Sequence, residues 1–175
     1  MTAMVYPKAG ASSACNNWNA IEWQTAVAHV RRLQMRIAKA YREGKRGKVQ
    51  SLQRLLTHSY YAKLLAIKRT VQNRGAKTPG IDGVVWKTSQ QKIEAVKLLK
   101  RRGYNTQPLK RIYIPKKQKG KLRPLSIPSM KCRGMQALHL LSLEPIAEMM
   151  ADKNAYGFRP LRSTAESYSR KLVMP

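Results

Sequence analysis

Leu109-Lys110-Arg111-Ile112-Tyr113-Ile114-Pro115-Lys116 is followed, after a short basic run, by Leu122-Arg123-Pro124-Leu125-Ser126-Ile127-Pro128, and this pair decides the fold class. From Leu109 to Ile114 basic and apolar side chains alternate, the period of a strand with one sheltered face. Leu122 to Ile127 is the second strand-like run, and Lys116 to Lys121 between them is a basic, glycine-containing turn. Pro115 and Pro128 bound the pair. The natural reading is a β-hairpin with a basic tip. The longer segments around it carry helical periodicity. The expected fold is therefore α+β: an amino-terminal helical hairpin, then a small antiparallel sheet with flanking helices.

Upstream, a helix is expected from about Trp23 to Arg42, with Val27, Val30, Leu33 or Gln34, Ile37 and Tyr41 on its apolar stripe. Arg32, Arg36 and Lys39 recur on another face. Glu43-Gly44-Lys45-Arg46-Gly47 punctuates the pattern, and a second helix follows with Val49, Leu52, Leu56, Tyr60, Leu64, Ile67 and Val71 at helical spacing. The two are expected to pair as a hairpin. Asn73 to Gly83 holds Gly75, Pro79, Gly80 and Gly83, which makes it a loop. A short helix with Ile93, Val96 and Leu99 leads into the sheet, and Ser129 to Met150 reads as a last long helix. Met1 to Asn17 is small, polar and aperiodic, the pattern of a disordered tail.

The charge balance narrows the function. There are 35 Lys and Arg against 8 Asp and Glu, a formal net charge of +27. Self-repulsion of that size destabilises a compact chain unless a polyanion neutralises it. Nucleic acid is the usual polyanion, and an anionic membrane surface is its rival. From Ala95 to Leu143 there is no carboxylate, although Lys97, Lys100, Arg101, Arg102, Lys110, Arg111, Lys116, Lys117, Lys119, Lys121, Arg123, Lys131 and Arg133 all fall there. A merely solvated surface mixes both signs. Between Arg31 and Arg69 the basic residues likewise meet a single acid, Glu43. The phosphate-contact candidates are Arg31, Arg32, Arg36, Lys39, Arg42, Lys45, Arg46 and Lys48 on the helical part, with Lys110, Arg111, Lys116 and Lys117 on the hairpin.

Other chemistry is thin. Metal-assisted phosphoryl transfer needs clustered carboxylates, and neither Asp82 nor Asp152 has an acidic neighbour in a strand or turn. His29, His58 and His139 are scattered, and Cys15 and Cys132 form no metal or disulfide pattern, which fits a reducing cytosol. No secretory signal opens the chain. Gly134 to Met150, interrupted by His139, Glu144 and Pro145, is too short and polar to span a bilayer. The Asn73–Gly83 loop lacks the glycine spacing and Lys-Ser/Thr pair of a phosphate-cradling loop, so Asp82 reads there as a turn or capping residue. No catalytic residue is assigned.

Taken in order, the motifs form a series. Asn73-Arg74-Gly75-Ala76-Lys77-Thr78-Pro79-Gly80-Ile81-Asp82-Gly83, the two strand runs, and Asn154-Ala155-Tyr156-Gly157-Phe158-Arg159-Pro160 together resemble the opening blocks of group II intron-encoded reverse transcriptase/maturase proteins. The helical part, with Trp18, Trp23, Arg31-Arg32-Leu33-Gln34, Ile37-Ala38-Lys39-Ala40 and Leu55-Leu56-Thr57-His58-Ser59, is similar to the amino-terminal extension of the same family. The resemblance implies an extension over residues 18–72 and an incomplete fingers part over residues 73–175. It implies that Lys77 and Asp82 belong to a loop that grips template and intron RNA. It also implies that Lys121 or a nearby lysine, with Arg123, meets a nucleotide triphosphate, and that Phe158 and Arg159 line the template and nucleotide pocket.

The sequence departs from the family pattern at Cys132, where relatives commonly carry an aspartate, and at Leu161, where a glycine usually follows Arg159-Pro160. The palm aspartates of the family are not in this sequence. The expectation is thus an RNA-binding chain, for intron RNA or an RNA template, that does not polymerise alone. It binds no cofactor itself, and Mg2+ would enter only with a palm-containing polypeptide. Self-association is expected if a face normally resting on a palm is left open. The alternative is a stand-alone basic RNA-binding or RNA-chaperone module.

Overall fold

A computed structural model describes residues 17–116, 120–152 and 155. Three helices open the fold: α1 (Trp23–Arg42), α2 (Arg46–His58) and α3 (Tyr60–Gln72). A short helix α4 (Ser89–Leu98), a two-stranded antiparallel sheet of β1 (Lys110–Pro115) and β2 (Leu122–Ile127), and the long α5 (Met130–Met150) follow. The α+β class and the amino-terminal helices are as expected from the sequence. Helix α5 is the organising element: α1, α2 and α3 all pack against it. The core is built from Ile37, Leu56, Leu64, Ile67, Leu99, Met130 and Leu138, each fully buried.

The expected single helix from Val49 to Val71 is two helices. Ser59 adopts an extended backbone (φ −62°, ψ 133°) and ends α2 while starting α3. Side-chain bonds to the backbone accompany the break. The Thr57 hydroxyl lies 3.1 and 3.0 Å from the Gln53 and Arg54 carbonyls, and His58 Nδ1 lies 2.7 Å from the Arg54 carbonyl. Side chains that occupy backbone carbonyls compete with the next turn of helix. The break rotates the stripe, so Tyr60 is exposed, and α3 instead buries Ala62, Leu64, Ala66, Ile67 and Thr70. The pair anticipated as a hairpin is therefore a three-helix cluster around α5.

Helix α1 buries Ala26, Val30, Leu33, Ile37 and Ala40, while Val27, expected on the stripe, is exposed. Its entry is fixed by aromatic packing. Trp18 meets Trp23 edge-on at 5.0 Å, and Lys68 of α3 sits 4.2 Å above the Trp23 ring. Helix α4 starts at a capping box between Thr88 and Gln91. Ser129 caps α5 through the Cys132 N–H.

Two glycines mark close approaches. A Cβ on Gly134 would lie 3.1 Å from Leu99 Cδ2 and 3.4 Å from the Trp86 ring, so α5 comes down directly on the α4 region. A Cβ on Gly80 would lie 2.5 Å from Ser129 Cα and 2.8 Å from Ser129 N. The 73–83 loop thus rests backbone to backbone on the junction between β2 and α5. Arg133 ties the same junction: Nε donates to the Pro128 carbonyl (2.9 Å), and the two terminal nitrogens donate to the carbonyls of Gly75 (2.7 Å) and Thr78 (2.8 Å).

Candidate nucleic-acid interface

On α1 the core stripe leaves the opposite arc free. Arg31, Arg32, Arg36, Lys39 and Arg42 all fall on that arc at helical spacing, outside the buried stripe. None makes a salt bridge among the described residues, although the charge of Lys39 is close enough to Glu43 to help lower its pKa. Met35 lies in the middle of them with 66% of its surface exposed. An apolar side chain ringed by unpaired cations suits a ligand with charged phosphates and flat apolar bases. Composition passed over Met35, although its place on the helix follows from the same 100° step that locates the arginines.

The arc continues into the next turn and helix. Lys45, Arg46 and Lys48 are exposed at the start of α2. Lys45 is the exception among them, because its ammonium is paired with Glu43 at 2.8 Å. That hydrogen bond and charge hold the Glu43 carboxyl below its ordinary pKa.

The hairpin divides its cations between two faces. Residues directly opposite across the sheet share a face, so the register puts Lys110, Ile112 and Ile114 with Arg123, Leu125 and Ile127 on one side. Arg111, Tyr113 and Pro115 share the other side with Leu122, Pro124 and Ser126. Arg111 and Arg123 therefore point to opposite sides of the sheet. The Lys116 N–H donates to the Lys121 carbonyl at 2.8 Å and closes the base of the tip. Gly120 (φ 81°) takes the left-handed conformation within that turn. Both prolines occupy register positions that do not exchange ladder hydrogen bonds, so neither breaks the pairing.

The Arg123 face of the sheet borders a cleft of about 630 Å³. Ile112, Leu125 and Ile127 form one wall, and Thr70 of α3 with Ala137 and Leu140 of α5 form the other. Leu125 and Leu140 are each 40% exposed, an apolar surface that the described residues leave uncovered.

In the 73–83 loop, Lys77 is exposed and Asp82 is half-buried. The Asp82 carboxylate accepts weakly from the Val84 N–H at 3.4 Å, a local turn contact. Lys117, Phe158 and Arg159 lie outside the described residues. Among the described residues no three His, Cys, Asp or Glu side chains come together, so they offer no set that fits a divalent ion. No helix among them is long and apolar enough to cross a membrane.

Comparison with known proteins matches the chain to a family. Residues 18–99 match the family model described as the N-terminal domain of reverse transcriptase. Residues 114–174 match the model of reverse transcriptase (RNA-dependent DNA polymerase). The chain is also similar to the group II intron-encoded protein LtrA of Lactococcus lactis subsp. cremoris, 38% identical over 101 residues. It belongs to the group II intron reverse transcriptase family.

The chain is similar as well to Protein YkfC of Escherichia coli (strain K12), 42% identical over 122 residues, or 66% of this chain. The alignment to LtrA covers 57% of this chain. In turn the chain spans 31% of YkfC and 17% of LtrA. It carries the amino-terminal part of the reverse transcriptase architecture, in which the basic α1–α2 surface lies within the N-terminal domain match.

Proposed function

We propose that this chain binds RNA, with group II intron RNA as the specific ligand, through the outward arc of α1 and its continuation into α2. The observation that carries the reading is the set Arg31, Arg32, Arg36, Lys39 and Arg42 around the exposed Met35, none of them in a salt bridge among the described residues. Cations left unpaired in the free protein incur no cost of breaking ion pairs when phosphates arrive. Each neutralised phosphate releases a condensed counterion, which drives binding and makes it salt-dependent. Lys110, Arg111 and Lys116, divided between the two faces of the hairpin, and Lys77 in the loop are further RNA contacts. Lys121 and Arg123 meet the phosphates of a nucleotide or template strand when a palm-containing polypeptide completes the site. The uncovered Leu125 and Leu140 surface supports a partner there.

The test is a titration of structured intron RNA and of a random RNA of equal length, each over a range of salt. Intron RNA binding more tightly, with the preference kept at higher salt, is the expected result. Replacing Arg32, Arg36 and Lys39 with Ala reduces the salt slope by about one unit for each phosphate no longer neutralised. An unchanged slope would remove α1 from the interface. Equal affinity for both RNAs would leave a sequence-indifferent binder.

A further inference from the structure

A second concavity, of about 530 Å³, opens between α2, α5 and the segment after α4. Its α2 wall is the stripe Gly47, Gln50, Ser51 and Arg54, on the side of the helix turned away from Val49, Leu52 and Leu56. Arg101 enters from the segment after α4, and His139 and Leu143 enter from α5. No carboxylate lines it.

Four neutral donors of this lining are already committed to backbone carbonyls. Ser51 bonds Gly47 O (3.0 Å), Gln53 bonds Ser142 O (3.1 Å), Thr57 bonds Gln53 O and Arg54 O, and Ser142 bonds His139 O (2.8 Å). The guanidinium groups of Arg54 and Arg101, the Gln50 amide and the His139 ring have no such partner among the described residues. Burial, and then the charge of Arg101, hold the His139 pKa below its ordinary value. The imidazole thus sits beside a cation with nothing acidic in the lining to offset it. A concave surface with unused forked donors, a net positive field and no acid is complementary to an anion, and arginine forks match phosphate oxygens. The volume lies within the roughly 300–1,000 Å³ of cavities that hold nucleotide-sized groups. Leu143, 54% exposed at the rim, offers an apolar contact for a sugar or base edge.

We infer that this cleft seats a backbone phosphodiester of the bound RNA, held by Arg54 and Arg101 with Gln50 and His139 as further donors. The site rests on the RNA-binding reading but is separate from the α1 arc. Arg54 and Arg101 are far apart in the chain and reach one cleft only in the folded protein. The cleft begins at Gly47, between the exposed cations Arg46 and Lys48, so an RNA strand lying on the start of α2 runs directly into it.

The test uses the full chain. Arg54→Ala and Arg101→Ala should each weaken binding of intron RNA by about tenfold and lower the salt slope by about one unit. Arg54→Lys should keep the slope while recovering only part of the affinity, because a point charge replaces a fork. Leu143→Glu, at an exposed helical position, should weaken binding by adding an anion at the rim. Thermal unfolding of each variant confirms that it is folded. A direct probe is a dinucleotide with one internal phosphodiester and no terminal phosphate, followed by the side-chain NMR signals of His139, Arg54 and Arg101. Movement of these signals supports the site. Movement with inorganic phosphate or a nucleoside triphosphate but not with the dinucleotide overturns it in favour of a terminal-phosphate site. RNA binding that falls with the α1 variants but not with folded Arg54 and Arg101 variants refutes the cleft and leaves the wider reading intact. A wild-type chain that binds no RNA overturns both.

Discussion

Gln34 supplies the hydrogen bond that Pro145 removes. Pro145 lies inside α5 and has no N–H, so the carbonyl four residues earlier, that of Leu141, is left without its helical partner. Gln34 of α1 donates its side-chain amide to that oxygen at 2.9 Å, and Gln53 of α2 donates to the neighbouring Ser142 carbonyl at 3.1 Å. Gln34 thus replaces the partner that Pro145 removes, and Gln53 adds a second bond to the adjoining turn. A proline that would otherwise weaken α5 becomes the point where α1 and α2 are keyed to it.

Gln34→Leu should therefore destabilise the chain by about 1–3 kcal/mol, the cost of leaving a sheltered carbonyl without a partner. In a Pro145→Ala background the helical N–H returns, and the same substitution should cost much less. A double-mutant cycle in denaturant unfolding measures the coupling. Equal costs in both backgrounds would show that Gln34 acts by packing alone.

Gly80→Ala should cost about 1–3 kcal/mol, because the new Cβ meets the Ser129 backbone at 2.5 Å rather than a movable side-chain tip. Gly47→Ala, at an open position inside α2, should instead stabilise by about 0.5–1 kcal/mol. Unfolding midpoints of the two variants, moving in opposite directions, would establish that steric surroundings rather than glycine content are decisive.

Arg133→Lys should loosen the 73–83 loop although the charge is retained. A single ammonium cannot reproduce three directed bonds to Pro128, Gly75 and Thr78. Faster amide hydrogen exchange across residues 73–83, with little change in the RNA salt slope, is the expected result. A lowered slope would instead make Arg133 a phosphate contact.

Stability should fall with acidification in a window set by His139. Burial and Arg101 depress its folded pKa below the 6.5 of a free imidazole, so the unfolded chain takes up the proton first. The stability held by the neutral imidazole is fully present above about pH 6.5 and declines as pH falls through the folded pKa. His139→Gln should flatten unfolding free energy against pH in that window, measured without RNA. A slope unchanged by the substitution would assign the effect to other groups.

Much of this was legible along the chain. The 3.6-residue spacing of Val30, Leu33 and Ile37 marks the buried side of α1, and the outward placement of Arg32, Arg36 and Lys39 follows from the same geometry. The alternation before Pro115 and the glycine-containing turn specify an antiparallel pair. The ordered motifs specify the family. These features are local, because each depends on residues within a few turns of one another.

Tertiary structure decided the rest. Periodicity carries straight through Ser59, where the backbone turns extended and divides the helix in two. Composition places Arg133 in the basic run that lacks carboxylates, but its three bonds hold the loop to the β2–α5 junction. Nothing near Gln34 in the chain points to Pro145, and nothing near Arg54 points to Arg101 or His139. Sequence spacing determines which side of a helix is apolar or charged. What that side meets is a pairing between distant segments, and the energy of a hydrogen bond or a charge depends on the partner found there.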